Sequence, residues 1–203
     1  PGLMCDADVW ADVVVQLRSH GALSDAAAIV VADHGHADSL AAMADHVLAT
    51  APPVFALAGH SMGGRVALEV VRRAPQRVSH LGLFNTGALP REAGEGGVRE
   101  ADMRFGLLRT AIETDVAAMG LQWVEGMVSA ARWRDDAALV QRIVAMFARK
   151  SPAHFAAQTR ALLHRPDAVS VLHTVRVPTL LLSGTEDVFT PVAQHQQMLA
   201  HLH

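Results

Sequence analysis

Four short stretches of the chain are largely apolar, and turn-forming residues bound each of them. Residues 28–32 (Ala-Ile-Val-Val-Ala) lie between Ser24-Asp25 and Asp33-His34-Gly35-His36, and residues 54–58 follow Pro52-Pro53. Residues 78–84 and 177–183 have the same character. Continuous apolar character, rather than alternation, predicts parallel strands covered by helices on both faces. Between them, helical spacing predicts helices over 8–18, 39–49 and 63–74, the last ended by Pro75. Alternating strand and helix predicts an α/β fold.

From about residue 88 to 165 the alternation stops. That stretch opens with Glu92-Ala93-Gly94-Glu95-Gly96-Gly97 and continues with Met103, Leu107, Leu108, Ile112, Met119, Trp123, Val124 and Met127 at helical spacing. It is expected to be an inserted helical cap over 88–165, leaving 1–87 and 166–203 as the core. Most of its apolar residues should pack, and a minority should line a pocket.

Composition narrows the choice of partner. The 203 residues are 51% hydrophobic and 18% charged, with a formal charge of -3 and no basic stripe. Nucleic acid is therefore not expected, and a small-molecule site is. No apolar run is long enough to span a bilayer. The one cysteine, Cys5, can neither staple the fold nor supply a thiolate metal site, and it is expected to be a buried, inert thiol. Neither metal nor organic cofactor is expected. A cytoplasmic location is expected, with export left open because any leader would precede Pro1.

The chemistry concentrates at Gly59-His60-Ser61-Met62-Gly63-Gly64, a G-x-S-x-G element directly after one predicted strand and before a helix. A serine there sits on a sharp turn, and Gly59 and Gly63 supply the space for it. The helix start aims free N–H groups at the same spot, with that of Met62 placed as an oxyanion donor. A phosphate-binding P-loop would need Lys followed by Ser or Thr, whereas Arg65-Val66 follow here. The glycine spacing of a dinucleotide fingerprint is also missing.

At these residues the chain resembles the α/β-hydrolase superfamily, in particular its small bacterial esterase-like members with a helical cap between the sixth and seventh strands. Two further landmarks carry the resemblance. Pro1-Gly2-Leu3-Met4-Cys5-Asp6 is similar to the loop after the family's third strand, and residues 178–187, ending Gly184-Thr185-Glu186-Asp187, are similar to its seventh strand and acid loop. The resemblance implies Ser61 as nucleophile, with the main-chain N–H groups of Met62 and Leu3 as oxyanion donors, or Met4 in place of Leu3 if the loop register shifts by one. It implies Asp187 as the triad acid, with adjacent Glu186 as rival. Thr190 is the expected cap of the helix that follows. In relatives whose acid follows the sixth strand, the matching stretch here is Phe84-Asn85-Thr86, a neutral amide.

A triad also needs a histidine, expected roughly 20 to 30 residues past the acid. His195, His201 and His203 fall in the helix after Asp187 and are expected on its surface. His60 is expected to pack or hydrogen-bond, and His34 and His36 to sit in a loop. His154, His164 and His173 are assigned to helices. The implied reading is an internal fragment lacking the third strand and the histidine segment, so that flanking strands would stand about 10 Å apart and the isolated chain would fold poorly and hydrolyse no ester. The implied activity of the parent is hydrolysis of carboxylic esters, with lactones and thioesters also admitted. Its rivals are an acyltransferase with the same triad and a non-catalytic binder of a small ligand. Oligomeric state does not follow from the sequence.

Overall fold

The computed structural model describes residues 1–202. Its elements are α1 (Asp8–Ser19), α2 (Leu40–Thr50), β1 (Phe55–His60), α3 (Met62–Arg73), β2 (Val78–Phe84), α4 (Glu95–Glu113), α5 (Val116–Val124), α6 (Ala130–Asp135), α7 (Ala137–Ala148), α8 (Pro152–Leu163), α9 (Val169–Leu172), β3 (Thr179–Leu182) and α10 (Val192–Leu199). The strands form one parallel sheet in the order β1-β2-β3. The pairs Leu57↔Leu81 and Gly59↔Leu83 set one register, and Leu83↔Leu181 sets the other.

That register sorts the strands into two faces. Leu57, Leu81, Leu83 and Leu181 point toward α3, whose Val66, Ala67, Val70 and Val71 complete the core. Burying each such side chain contributes about 1.5 to 3 kcal/mol. Leu180 and Leu182 point the other way and are 53% and 48% exposed. Burial in β1 and β3 therefore alternates, in contrast to the expectation of two covered faces. Of the described residues, α1 covers only the carboxyl end of that second face, where Trp10 packs edge-on against Phe84 at 5.5 Å and His60 at 6.4 Å.

The predicted strand at 28–32 does not form. Its residues adopt no regular element, and Val30 is 78% exposed. A β-branched run becomes a strand only when a neighbour satisfies its N–H and C=O groups, and the free edge of β1 pairs with nothing among the described residues.

Between β2 and β3 every regular element among the described residues is a helix, from α4 to α9. Helix α4 packs on α5 and α8, and α5 on α7. Leu107, Met119 and Val124 are buried there, while Ile112 is 65% exposed. Side-chain caps hold these short helices: Asp115 accepts from Ala118 N–H, Asp136 from Leu139 N–H, and Ser151 from His154 N–H in a capping box. Arg165 binds Glu100 of α4 through both carboxylate oxygens at 2.8 Å, fastening the end of this helical stretch to its beginning. Among the described residues no helix is long and apolar enough to cross a membrane.

Candidate active site

Ser61 occupies the bend between β1 and α3 with φ 53° and ψ -117°, outside the regions open to ordinary L-residues. Close backbone approach forces this geometry. A Cβ at Gly59 would stand 2.3 Å from the carbonyl oxygen of Gly63, and one at Gly63 would stand 2.5 Å from that of Pro1. At Gly64 a Cβ would meet the Thr86 side chain at 2.6 Å. Ser61 N–H donates to Phe84 C=O at 2.9 Å, and Thr86 Oγ1 donates to Ser61 C=O at 2.7 Å, so both main-chain groups of the bend are fixed by the end of β2. The Ser61 hydroxyl does not cap α3 and has no hydrogen-bond partner among the described residues.

This bend opens into a cleft of about 1270 Å³ lined by residues from several separate segments, including Leu3, Ser61, Met62 and Asp187. Met103, Trp123 and Met127 of the helical stretch also line it. The N–H groups of Met62 and Leu3 donate to nothing among the described residues. Met4 N–H, in contrast, is engaged by Gln158 Oε1 at 2.9 Å, while Met4 itself sits at φ 62°. Of the two register alternatives, only the Leu3 N–H is free for a ligand. Cys5 also borders the cleft, half-buried, its thiol pushed up to about 11 chiefly by burial, so it stays protonated at neutral pH.

Asp187 sits in the turn after β3 and collects four donors. Its Oδ1 accepts from the N–H groups of Phe189 at 2.8 Å and Thr190 at 2.9 Å, and its Oδ2 from Asn85 Nδ2 and Thr190 Oγ1, both at 2.6 Å. Burial opposes the charged form, but the Thr190 hydroxyl, the Asn85 amide and the two N–H groups outweigh it and hold the carboxyl below the usual range. Glu186, its neighbour, is exposed. Thr190 is committed to Asp187, and the capping position of α10 falls to Pro191, which offers no side-chain cap. The expectation that Thr190 caps α10 is corrected accordingly.

Asn85 has φ 47°, which swings its amide from the end of β2 toward the β3 turn. The two alternative acid positions of the sequence reading therefore meet at one point.

The histidines divide differently from expectation. His195 is not on the surface of α10: it is 5% exposed, and its Nε2 accepts from Thr86 N–H at 3.2 Å. Its Nδ1 lies 3.4 Å from Pro191 C=O, so the ring is a bridge between α10 and the end of β2. The spacing of a lone helical histidine carries no signal for this contact across 109 residues. His201 stacks edge-on with His173 at 4.9 Å, and His203 lies outside the described residues. His60 borders the cleft with Nδ1 buried and unpartnered. Burial, the largest cause, pushes it down to about 4, and Asp187 offsets this only in part. No histidine among the described residues hydrogen-bonds to Asp187 or to the Ser61 hydroxyl. No group of side chains among them could hold a metal ion.

The sequence profile of the alpha/beta hydrolase family matches residues 4–203. The chain belongs to that family. It is 26% identical over 196 residues, 93% of its own length, to 71% of the pimeloyl-(acyl-carrier protein) methyl ester esterase of Nitrosomonas europaea. Among solved structures, a thermophilic esterase from Thermogutta terrifontis superposes with a TM-score of 0.77 at 21% identity, over 99% of this chain and 75% of that one. The enol-lactonase of Burkholderia xenovorans superposes with a TM-score of 0.78 at 17% identity, over 99% and 76%. At such identities the superpositions establish the fold. In this alpha/beta hydrolase the bend at Ser61 joins β1 to α3 at the carboxyl edge of the sheet, where open α/β folds place their ligands.

Proposed function

We propose that this alpha/beta hydrolase belongs to an enzyme cleaving carboxylic esters through an acyl-serine intermediate. Ser61 Oγ attacks the acyl carbon. The N–H groups of Met62 and Leu3 receive the negative charge that develops on the carbonyl oxygen, supported by the N-terminal dipole end of α3. Asp187 orients a histidine that takes the serine proton and returns it to the leaving alcohol; water then attacks the acyl-enzyme and regenerates Ser61. That histidine enters where Asn85 Nδ2 now meets Asp187 Oδ2. Helices α4 to α8 act as the cap over this site, with Met103, Trp123 and Met127 contributing its apolar wall.

The observation that carries the reading is a serine in a costly backbone conformation whose hydroxyl has no structural task, in one cleft with two free N–H groups and a fixed carboxylate. Support for ester chemistry comes from the esterase of Nitrosomonas europaea. The test is covalent labelling by a fluorophosphonate in buffer containing imidazole, which supplies a diffusible base. Stoichiometric phosphonylation that disappears in Ser61→Ala is expected. Equal labelling of that variant, or none of the wild type, refutes the proposal.

A further inference from the structure

Three guanidinium groups converge on the same cleft from three parts of the chain: Arg65 from α3, Arg104 from α4, and Arg165 just beyond α8. Arg104 and Arg165 share one carboxylate. Glu100 accepts from Arg104 Nε at 3.1 Å and Nη2 at 2.9 Å, and from Arg165 Nη1 and Nη2 at 2.8 Å each. Three of these donors fall on Oε1 and one on Oε2, all of them from Arg104 and Arg165. Arg104 and Arg165 have side chains only 14% and 10% exposed, and Arg165 Nε is buried with no acceptor at all. The Arg104-Glu100-Arg165 trio explains itself as the clasp that closes the helical stretch.

Arg65 has no such explanation. It forms no ion pair with any described residue, and its one hydrogen bond runs from Nη1 to Leu89 C=O at 2.7 Å. Burial first, then the proximity of Arg165, weakens its hold on its proton and pushes it down to about 9, and nearby Glu100 offsets this only in part. A guanidinium kept in a sheltered position beside two others is unfavourable unless an anion joins it. The remaining carboxylates bordering the cleft do not serve: Glu92 and Glu186 are exposed, and Asp187 is held by its own loop. Space for an anion exists on the cleft side, because Arg65 lines the open cleft of about 1270 Å³. Arg65 follows Ser61 by one helical turn, a rise of about 6 Å.

We infer that Arg65, backed by Arg104 and Arg165, binds an anionic oxygen group, carboxylate or phosphate, carried by the substrate about one side-chain length from the bond that Ser61 cleaves. This rests on the ester-hydrolase reading and sharpens it: the preferred substrate is an ester that bears a second, charged end. The guanidinium fork matches two oxygens of either anion. Because the three arginines come from α3, α4 and the segment after α8, the bound anion also ties the helical stretch to the sheet.

Calorimetric titration of adipate, of inorganic phosphate and of the neutral diamide adipamide into the chain tests this, with Arg65→Gln, Arg65→Lys and Ser61→Ala alongside. Adipate is expected to bind at least roughly tenfold more tightly than adipamide, to weaken at high salt, and to lose that advantage in R65Q while keeping part of it in R65K. Binding of phosphate with the same Arg65 dependence assigns the site to oxyanions in general, and its absence assigns it to carboxylates. Equal affinity for adipate and adipamide overturns the inference, as does adipate binding that R65Q leaves unchanged while melting as the wild type does. Adipate binding retained in S61A and in a chain that fluorophosphonate never labels upholds the anion site and removes only the esterase reading. Labelled Ser61 without charge preference does the reverse.

Discussion

Replacing Ser61 by glycine should make the protein more stable. The bend holds a residue with a Cβ at φ 53° and ψ -117°, a conformation that costs about 1 to 3 kcal/mol for anything but glycine. Glycine removes that cost and loses about 0.5 to 1 kcal/mol through the greater freedom of its unfolded chain. The hydroxyl forms no hydrogen bond whose loss would count against the change. The net gain is about 1 to 2 kcal/mol, or a rise in Tm of about 2 to 8 °C for a chain of this size. Ser61→Ala is the control, because alanine keeps the Cβ and therefore the strain, and should fall within about 0.5 kcal/mol of wild type. Urea denaturation followed by circular dichroism reads both differences. If S61G is no more stable than S61A, the backbone at residue 61 is not strained, and the physical basis for assigning it a functional task is gone.

Gly59→Ala should lose about 2 to 3 kcal/mol, since its Cβ would lie 2.3 Å from a backbone oxygen that cannot rotate away; Gly106→Ala, with open space in mid-helix α4, should gain about 0.5 to 1 kcal/mol in the same denaturation assay. Acid should destabilise the fold between about pH 6.5 and 4, because His60 stays neutral when folded down to about 4 whereas the unfolded chain takes up its proton near 6.5. The slope this adds is about 1.4 kcal/mol per pH unit, and it should vanish in His60→Gln measured by denaturation at a series of pH values. Asn85→Ala combined with Thr190→Val should raise the Asp187 pKa toward the ordinary carboxylate range, read by NMR titration, since both donors favour its charged form.

The elements that the chain alone reveals are those whose cause is local. The apolar run at 78–84 coincides with β2, and the runs at 54–58 and 177–183 lie within two residues of β1 and β3 at either end, because turn residues bound them. The bend at Ser61 is readable for the same reason: Gly59 and Gly63 encode a steric demand within five residues. The run at 28–32 has equal local credentials and forms no strand, since pairing is a property of two segments and not of one. Asn85 meets Asp187 across 102 residues, and His195 meets Thr86 across 109, through the register of β2 on β3 and the placement of α10. No spacing rule reaches that far. Arg65 shows a third case. Its position beside the glycines serves at the sequence level only to exclude a P-loop, and its lack of a direct ion pair emerges only when α4 and Arg165 are folded against it.

Two groups lining the cleft stand in opposite electrostatic states, and this bears on how an ester would lie in it under the proposed chemistry. Asp187 is fixed by four donors, so little reorganisation would be needed if positive charge developed on a base beside it. Arg65 has no ion-pair partner among the described residues, so an arriving anion would improve its surroundings. Ser61 stands at the start of the helix that carries Arg65. An ester with one charged end would accordingly be drawn in by that end toward Arg65, leaving its carbonyl beside the free N–H groups of Met62 and Leu3. Binding energy gained away from the reacting bond would then serve to orient that bond, which is the use to which remote contacts contribute most in catalysis.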